Sequence, residues 1–307
     1  MERFEGLIAA HFSPFDEKGL VNKSIIKPYV DHLVDNGVVG VFVNGSNGEG
    51  PNLTINERME VAELFQEAAG DRIKTIIHVG HSSIAEARTL AVHAQEIGAD
   101  AIASVAAFYF KPTSVSMLTD CMAEIASATP ELPFFYYHIP SLTGVGMDMI
   151  QFLELGRERI PNLQGIKYTA PTLWEYQSCL EYAGDDFDVL YGTDEMLLSA
   201  LVVGAKGAIG STFNFAAPLY QKVIQDFRLG NLEEARMLQA RLVEMVRILL
   251  AFPAIPAQKA VMKMLGFDLG PCRLPLAHSL SESDYTTLKN RLEAIHFFEE
   301  LKAVAVL

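Results

Sequence analysis

The sequence has few cysteines and a deficit of positive charge. Cys121, Cys179 and Cys272 are too few and too widely spaced for a disulfide framework or a zinc cluster, and they indicate free thiols in a reducing compartment. Lys and Arg number 24 against 38 Asp and Glu, and the resulting net charge of -14 provides no basic face for a phosphate backbone. A nucleic acid is therefore not expected as a partner.

Long hydrophobic runs and a dinucleotide-binding motif are also missing. The chain starts Met-Glu-Arg-Phe-Glu-Gly, without a charged-then-apolar signal region. No stretch reaches the roughly 18 uncharged residues that a membrane span needs. No Gly-x-Gly-x-x-Gly follows the first β-rich run, which removes the main support for a nucleotide-binding sheet. We therefore expect a soluble cytoplasmic protein with no membrane partner.

The order of the segments predicts an α/β fold. Short β-rich runs alternate about eight times with segments of helical period, and several runs, above all 38–43, are continuously apolar, as strands buried on both faces are. The predicted strands are 6–12, 38–44, 73–80, 99–106, 133–139, 163–168, 188–191 and 205–210. Predicted helices between them include 24–36, 55–69, 83–97, 114–128 and 195–203.

Eight such units favour a closed (β/α)8 TIM barrel over an open sheet. After about residue 229 the pattern changes, and helical segments 232–251, 255–265 and 282–304 follow one another without a strand. We predict a catalytic barrel over residues 1–229 and a C-terminal helical extension, packed on the barrel, over residues 230–307.

Lys167 follows an apolar run at the end of the sixth predicted strand. A lysine buried there loses its proton readily and becomes a nucleophile toward carbonyls. The alternative is a lysine whose ammonium group snorkels to solvent. Because barrel chemistry lies at the carboxyl ends of the strands, the residues at the other strand ends bear on this choice.

Five strand ends carry polar or reactive groups. The second strand ends in a glycine-rich turn, residues 44–50, whose amides and hydroxyl can hold a carboxylate, although Gly, Ser and Asn are common in any such turn. Tyr137 ends the fifth strand, and either catalysis or packing would explain it. Asp194 and Ser211 could equally cap the helices that follow. The polar strand-end residues are Ser46, Asn47, Tyr137, Lys167, Thr169, Gly192, Asp194, Glu195, Gly210, Ser211 and Thr212.

Four motifs together resemble the pyruvate-dependent class I aldolase family of N-acetylneuraminate lyase and dihydrodipicolinate synthase. They are Gly-Ser-Asn-Gly-Glu at 45–49, Tyr-His-Ile-Pro at 137–140, Gly-Ile-Lys-Tyr-Thr at 165–169 and Gly-Ala-Ile-Gly-Ser-Thr at 207–212. The resemblance covers residues 4 to about 230 and continues into the helical extension. It implies a carbon–carbon lyase in which Lys167 forms a Schiff base with a 2-oxo acid, with no cofactor and no metal.

The resemblance also implies roles for the other residues. Tyr137 would shuttle protons, and Ser46 and Asn47 would hold the substrate carboxylate. The lyase pattern implies that the remaining polar groups contact the polyhydroxylated tail of a sialic acid. These implied substrate-binding residues are Thr169, Gly192, Asp194, Glu195, Gly210 and Ser211.

Two positions discriminate among the substrates of the family. Dihydrodipicolinate synthases usually carry an arginine for a second carboxylate where this chain has Leu142, which disfavours that substrate class. Cleavage of N-acetylneuraminate to pyruvate and N-acetylmannosamine is then expected. Asn47 departs from the lyase pattern and resembles the 4-hydroxy-2-oxoglutarate aldolases of the family, which keeps that activity open. 2-Keto-3-deoxygluconate aldolase is another alternative within the family. A catalytically silent barrel that binds sugar acids is the alternative from another class.

Tyr109 lies in a segment that resembles the one in which a family tyrosine enters the neighbouring subunit's site. This implies a tight dimer, paired into a homotetramer, although tyrosine is also common at interfaces without catalysis. His78 and His81 flank a strand end but lack a third ligand at readable spacing, so no metal site is predicted.

Overall fold

The structure is a computed structural model that describes residues 3–305. Eight parallel strands form a closed barrel in chain order, with β8 pairing back to β1. The strands are β1 (Gly6–Ala10), β2 (Gly40–Val43), β3 (Lys74–His78), β4 (Ala101–Val105), β5 (Phe134–His138), β6 (Leu163–Tyr168), β7 (Asp188–Tyr191) and β8 (Gly207–Gly210). The predicted barrel is confirmed.

Helices surround the barrel. Those up to residue 228 are α1 (Ile26–Asp35), α2 (Ile55–Ala69), α3 (Ile84–Glu96), α4 (Val115–Ala126), α5 (Pro140–Thr143), α6 (Met149–Arg159), α7 (Leu173–Ala183), α8 (Leu197–Val202) and α9 (Phe213–Arg228). The local sequence determines where several of these helices begin. Thr54 and Glu57 form a capping box at α2, in which each side chain accepts from the other residue's amide.

Four more helices follow within the described residues: α10 (Leu232–Leu249), α11 (Ala254–Met264), α12 (Glu282–Ala294) and α13 (Phe297–Ala305). This confirms the helical C-terminal region. Helices α10 and α13 pack against α9, and α12 packs against α10 and α11. The division at residue 229 remains a prediction, and residues 306 and 307 of the predicted extension lie outside the described residues. Across residues 3–305, no helix is long and apolar enough to cross a bilayer.

The core has two layers, because side chains of a strand point alternately into the barrel and toward the helices. Inward-facing residues such as Ile8, Phe42, Phe135 and Tyr137 form one apolar cluster. A larger cluster lies between the strands and the helices. Burial on both faces explains the continuously apolar strands. The parallel arrangement brings the carboxyl ends of all eight strands to one mouth.

Candidate active site

Strands β5 and β6 bring the two predicted catalytic side chains together. Tyr137 pairs in register with Lys167, and Lys167 pairs with Leu190 of β7. Because directly paired residues in a parallel sheet point to the same face, both side chains enter the barrel. The Lys167 Nζ lies 3.9 Å from the centre of the Tyr137 ring and 4.1 Å from that of Phe42.

Lys167 is only 3% exposed, so the snorkelling alternative is wrong. Burial lowers the pKa of its amine to about 7, against the opposing effect of the Asp194 charge. Lys167 forms no ion pair with any carboxylate in residues 3–305. A large fraction of this amine is therefore unprotonated and nucleophilic at neutral pH.

The Tyr137 phenol keeps its proton near neutral pH. Burial raises its pKa to about 12, while the neighbouring hydroxyls of Ser46 and Thr169 act in the opposite direction. The ring also meets His78 edge-on, with 5.9 Å between centroids. A protonated phenol beside an unprotonated amine is a suitable pair for general acid–base chemistry at a carbonyl.

The glycine-rich turn at the end of β2 begins and ends in left-handed backbone. Asn44 has a φ of 60° and Glu49 a φ of 55°. Between them Ser46 and Asn47 are half-buried, and the Gly50 amide closes the turn by donating to Gly45 O at 3.1 Å. A side chain at Gly48 would come within 2.6 Å of the His11 ring, so only glycine fits there. The turn brings the Ser46 hydroxyl beside the Tyr137 phenol, and Asn47 is the next residue along the chain.

Asp194 is buried at the end of β7, and its carboxylate makes two hydrogen bonds. Its Oδ2 accepts from the backbone N–H and the hydroxyl of Thr212, both at 2.7 Å. Burial raises the pKa of Asp194, while these bonds lower it. Gly210 makes room for the carboxylate, because a Cβ there would lie 2.1 Å from Asp194 Oδ1. The alternative in which Asp194 or Ser211 caps a helix through its side chain is wrong.

A cavity of about 350 Å³ lies at the mouth, between the strand ends and helices α10 and α11. Five of the predicted substrate-binding residues share its wall. They are Thr169, Gly192, Asp194, Glu195 and Ser211. Glu195 is half-buried, and burial raises the pKa of its carboxyl group. The helical extension contributes apolar residues such as Val246 and Leu249 to the opposite wall.

The cavity wall does not include five other predicted site residues, which are Ser46, Asn47, Tyr137, Lys167 and Gly210. Three further features named from the sequence also lie outside it. Tyr109 is 77% exposed and does not line it, and Leu142 is 64% exposed. The Glu49 side chain of the glycine-rich motif is buried away from the cavity. In residues 3–305 no group of three or more His, Cys, Asp or Glu side chains is arranged to hold a metal.

Sequence reasoning missed the residues that support the turn. His11 Nε2 accepts a hydrogen bond from the backbone N–H of Asn44 at 2.9 Å, and His78 Nδ1 donates one to the backbone carbonyl of Asn44 at 3.0 Å. Burial lowers the pKa of His11 to about 3 and that of His78 well below its usual value, so both rings are neutral. The only available signal was that both histidines follow apolar runs at the ends of β1 and β3.

Known proteins resemble this chain over almost its whole length. The profile of the Dihydrodipicolinate synthetase family matches residues 3–295. N-acetylneuraminate lyase of Xenopus tropicalis is 40% identical over 295 residues, which cover 95% of this chain and 96% of that protein.

Solved structures give the same result. N-acetylneuraminate lyase of Aliivibrio salmonicida superposes with a TM-score of 0.93 at 37% identity, over 97% of this chain and 98% of that one. A dihydrodipicolinate synthase of Bacillus anthracis superposes with a TM-score of 0.90 at 28% identity, over 96% and 99% of the two chains. The chain belongs to the dihydrodipicolinate synthetase family.

Proposed function

We propose that the protein is a Schiff-base lyase that reversibly cleaves N-acetylneuraminate to pyruvate and N-acetylmannosamine. The observation that carries this proposal is the buried Lys167 amine, with its pKa lowered to about 7, directly beside the Tyr137 phenol. The similarity to N-acetylneuraminate lyases at 37–40% identity over nearly the whole chain supports it.

The reaction starts when the unprotonated Lys167 Nζ attacks the ketone carbon of the 2-oxo acid. Tyr137 donates a proton to the departing hydroxyl, water leaves, and an iminium ion remains. The tyrosinate then accepts the proton of the substrate C4 hydroxyl as the C3–C4 bond breaks, and the bonding electrons pass to the iminium as an enamine. Tyr137 then gives this proton to C3 of the enamine, and water adds to the resulting iminium ion while the tyrosinate takes up the proton that the water loses. Release of pyruvate regenerates the Lys167 amine and the Tyr137 phenol.

The turn after β2 is proposed to hold the substrate carboxylate. Ser46 offers a hydroxyl beside Tyr137, and the adjacent, half-buried Asn47 offers an amide. Fixing the carboxylate orients the carbonyl carbon toward Lys167, and this positioning supplies part of the rate enhancement.

The cavity wall is proposed to bind the sugar tail. Carboxylates of Asp194 and Glu195 accept from sugar hydroxyls, and Thr169 and Ser211 add hydroxyl groups. Gly192 leaves room for the Thr169 hydroxyl, and Gly210 leaves room for the Asp194 carboxylate. Leu142, at the position where the synthases usually carry arginine, cannot bind a second carboxylate, which disfavours the synthase substrate.

Asn47 favours a second candidate, an aldolase acting on 4-hydroxy-2-oxoglutarate, and 2-keto-3-deoxygluconate aldolase is a further alternative within the family. Its amide can donate to a carboxylate as a hydroxyl does, so pyruvate binding is common to both candidates. A silent sugar-acid-binding barrel is disfavoured, because a binding module gains nothing from an amine whose burial opposes folding.

Borohydride reduction in the presence of pyruvate tests the mechanism. We expect one reduced adduct, located on Lys167 by peptide mass spectrometry, and none in a K167M variant. A folded wild-type protein without the adduct would refute the imine mechanism. Comparing pyruvate release from N-acetylneuraminate, 4-hydroxy-2-oxoglutarate and 2-keto-3-deoxygluconate then identifies the substrate.

Assembly and location complete the proposal. We propose a homotetramer built as a dimer of dimers, in which Tyr109 contacts the neighbouring subunit. The loop that carries Tyr109 supports this, because Tyr109 and Phe110 are 77% and 87% exposed and such aromatic groups are typical of interfaces. Free Cys121, Cys179 and Cys272 support a cytoplasmic location.

A further inference from the structure

Glu49 lies near the end of the glycine-rich turn, and its carboxylate forms a buried ion pair with the helical extension. Its Oε1 lies 3.1 Å from Nζ of Lys259 on α11, and the two side chains are 0% and 4% exposed. Two hundred and ten residues separate the partners in sequence. The pair is therefore a tertiary link between the β2 turn and the C-terminal helices.

The loop after α11 completes the link. The Arg273 backbone N–H donates to Glu49 Oε2 at 2.9 Å, so both carboxylate oxygens are bound. Lys259 Nζ also donates to Pro271 O at 2.9 Å, and its charge lies 4.7 Å from the centre of the Phe15 ring. Buried charges are tolerated when they are paired and hydrogen-bonded in this way.

Arg273 reaches the same region through its side chain. Its guanidinium donates to the two carboxylate oxygens of Glu57 at 2.9 and 2.6 Å, a bidentate contact. Glu57 is the capping-box residue of α2, the helix that follows the turn. The extension thus holds the chain at Glu49, near the end of the glycine-rich turn, and again at Glu57, in the first turn of α2.

The backbone at Glu49 needs such support. A non-glycine residue in left-handed backbone, here with a φ of 55° and a ψ of 28°, persists only where surrounding contacts fix it. The Glu49 amide also donates to Ser46 O at 3.1 Å, so the conformation of Glu49 sets the shape of the turn that carries Ser46 and Asn47.

We propose that Lys259 and Arg273 are positioning residues, which hold the 45–49 turn in the shape that binds the carboxylate of a 2-oxo acid. These two residues then influence the affinity of the site for its substrate without lining the cavity. The consequence for affinity depends on the function proposed above, whereas the ordering of the turn does not.

The double variant E49Q/K259M tests the ion pair. Removing one charge alone leaves the other buried and unpaired, whereas removing both with side chains of similar volume preserves packing. The matched control is K263M/D268N, which removes the exposed Lys263–Asp268 pair, 2.7 Å long, from the same helix and the loop after it. R273M, at a half-buried position, gives a second route if the double variant does not fold.

Hydrogen–deuterium exchange of a peptide spanning residues 44–50 is the first readout, measured without ligand. We expect exchange at least tenfold faster in E49Q/K259M, faster also in R273M, and unchanged in the control. The pyruvate concentration that half-saturates borohydride trapping is the second readout. It is expected to rise at least tenfold in the double variant, while the maximal trapping rate and its pH midpoint stay the same.

The positioning role would be overturned if E49Q/K259M were less stable than wild type but kept the wild-type exchange rate at the turn or the wild-type half-saturating pyruvate concentration. The ion pair would then contribute to stability alone. If wild-type protein forms no adduct, the proposed function fails. In that case an unchanged exchange rate in E49Q/K259M still refutes the link, and a faster one supports it.

Discussion

Replacing Lys167 with methionine is expected to abolish adduct formation and, at acid and neutral pH, to stabilise the fold. Burial lowers the pKa of Lys167 from 10.5 to about 7, so folding must expel a proton or bury an ammonium. A tenfold change in proton affinity corresponds to about 1.4 kcal/mol, and below pH 7 the buried ammonium therefore opposes folding by about 5 kcal/mol.

The sign of the pH dependence follows from proton counts. Between pH 7 and 10.5 the unfolded chain holds one more proton at Lys167 than the folded chain, so wild-type stability rises with pH across this window. The penalty falls to about 2 kcal/mol at pH 9 and vanishes above pH 10.5. K167M lacks this penalty, and its advantage is expected to shrink in the same way.

Urea unfolding of wild type and K167M at about pH 6 and pH 9, at one protein concentration, measures the effect. Relaxation around the ammonium reduces the full figure, so we expect a gain of about 2 to 5 kcal/mol at the lower pH. K206M, which removes a lysine that is 61% exposed, is the control and should show no such gain. Two results would refute the claim that the buried Lys167 ammonium opposes folding. One is a K167M variant no more stable than wild type at pH 6, and the other is a gain in stability that is the same at both pH values.

Three further predictions concern the site. D194N should move the pH midpoint of pyruvate trapping to lower pH, because the Asp194 charge raises the pKa of Lys167. The control D185N, at a 95% exposed carboxylate, should leave the midpoint unchanged. An unchanged midpoint in D194N would contradict an effect of the Asp194 charge on the pKa of Lys167. Y137F should slow imine formation by about 100-fold, and a wild-type rate in single-turnover trapping would exclude Tyr137 as the proton donor. E195Q should lower kcat/KM for N-acetylneuraminate by about tenfold or more while leaving the half-saturating pyruvate concentration unchanged, since a hydrogen bond to a charged group contributes about 1.5–3 kcal/mol. If E195Q weakened the use of N-acetylneuraminate and the binding of pyruvate equally, Glu195 would not be a residue that binds the sugar tail.

The barrel and the central pair were predictable because both depend on local signals. Continuously apolar runs mark strands buried on both faces, and chain order in a barrel makes β5 and β6 neighbours. Tyr137 and Lys167 lie near the carboxyl ends of these two strands, so the strand order brings them close together, and the register pairs them directly. The structure adds the ring of Phe42, which lies across the barrel interior on β2. Nothing in the sequence near Lys167 points to that contact.

Long-range partners were not predictable. Glu49 belongs to the motif that indicated carboxylate binding, yet its side chain pairs with Lys259, 210 residues away, and does not line the cavity. Aspartate is a common helix-capping residue, but the Asp194 carboxylate instead accepts a hydrogen bond from the backbone N–H of Thr212, which follows the next strand. In each case local residue preference allows several conformations, and tertiary packing selects one of them.

The arrangement of Asp194 explains how a buried amine can remain nucleophilic beside a buried acid. A direct ion pair with the carboxylate would favour the ammonium form and remove the nucleophile. Two hydrogen bonds from Thr212 instead hold Asp194 Oδ2, and the absence of a Cβ at Gly210 gives the carboxylate its place against β8. Asp194 therefore raises the pKa of Lys167 only partly, against the larger effect of burial, and the value stays at about 7. Thr212 and Gly210 thus help to keep the Lys167 amine unprotonated by restraining Asp194.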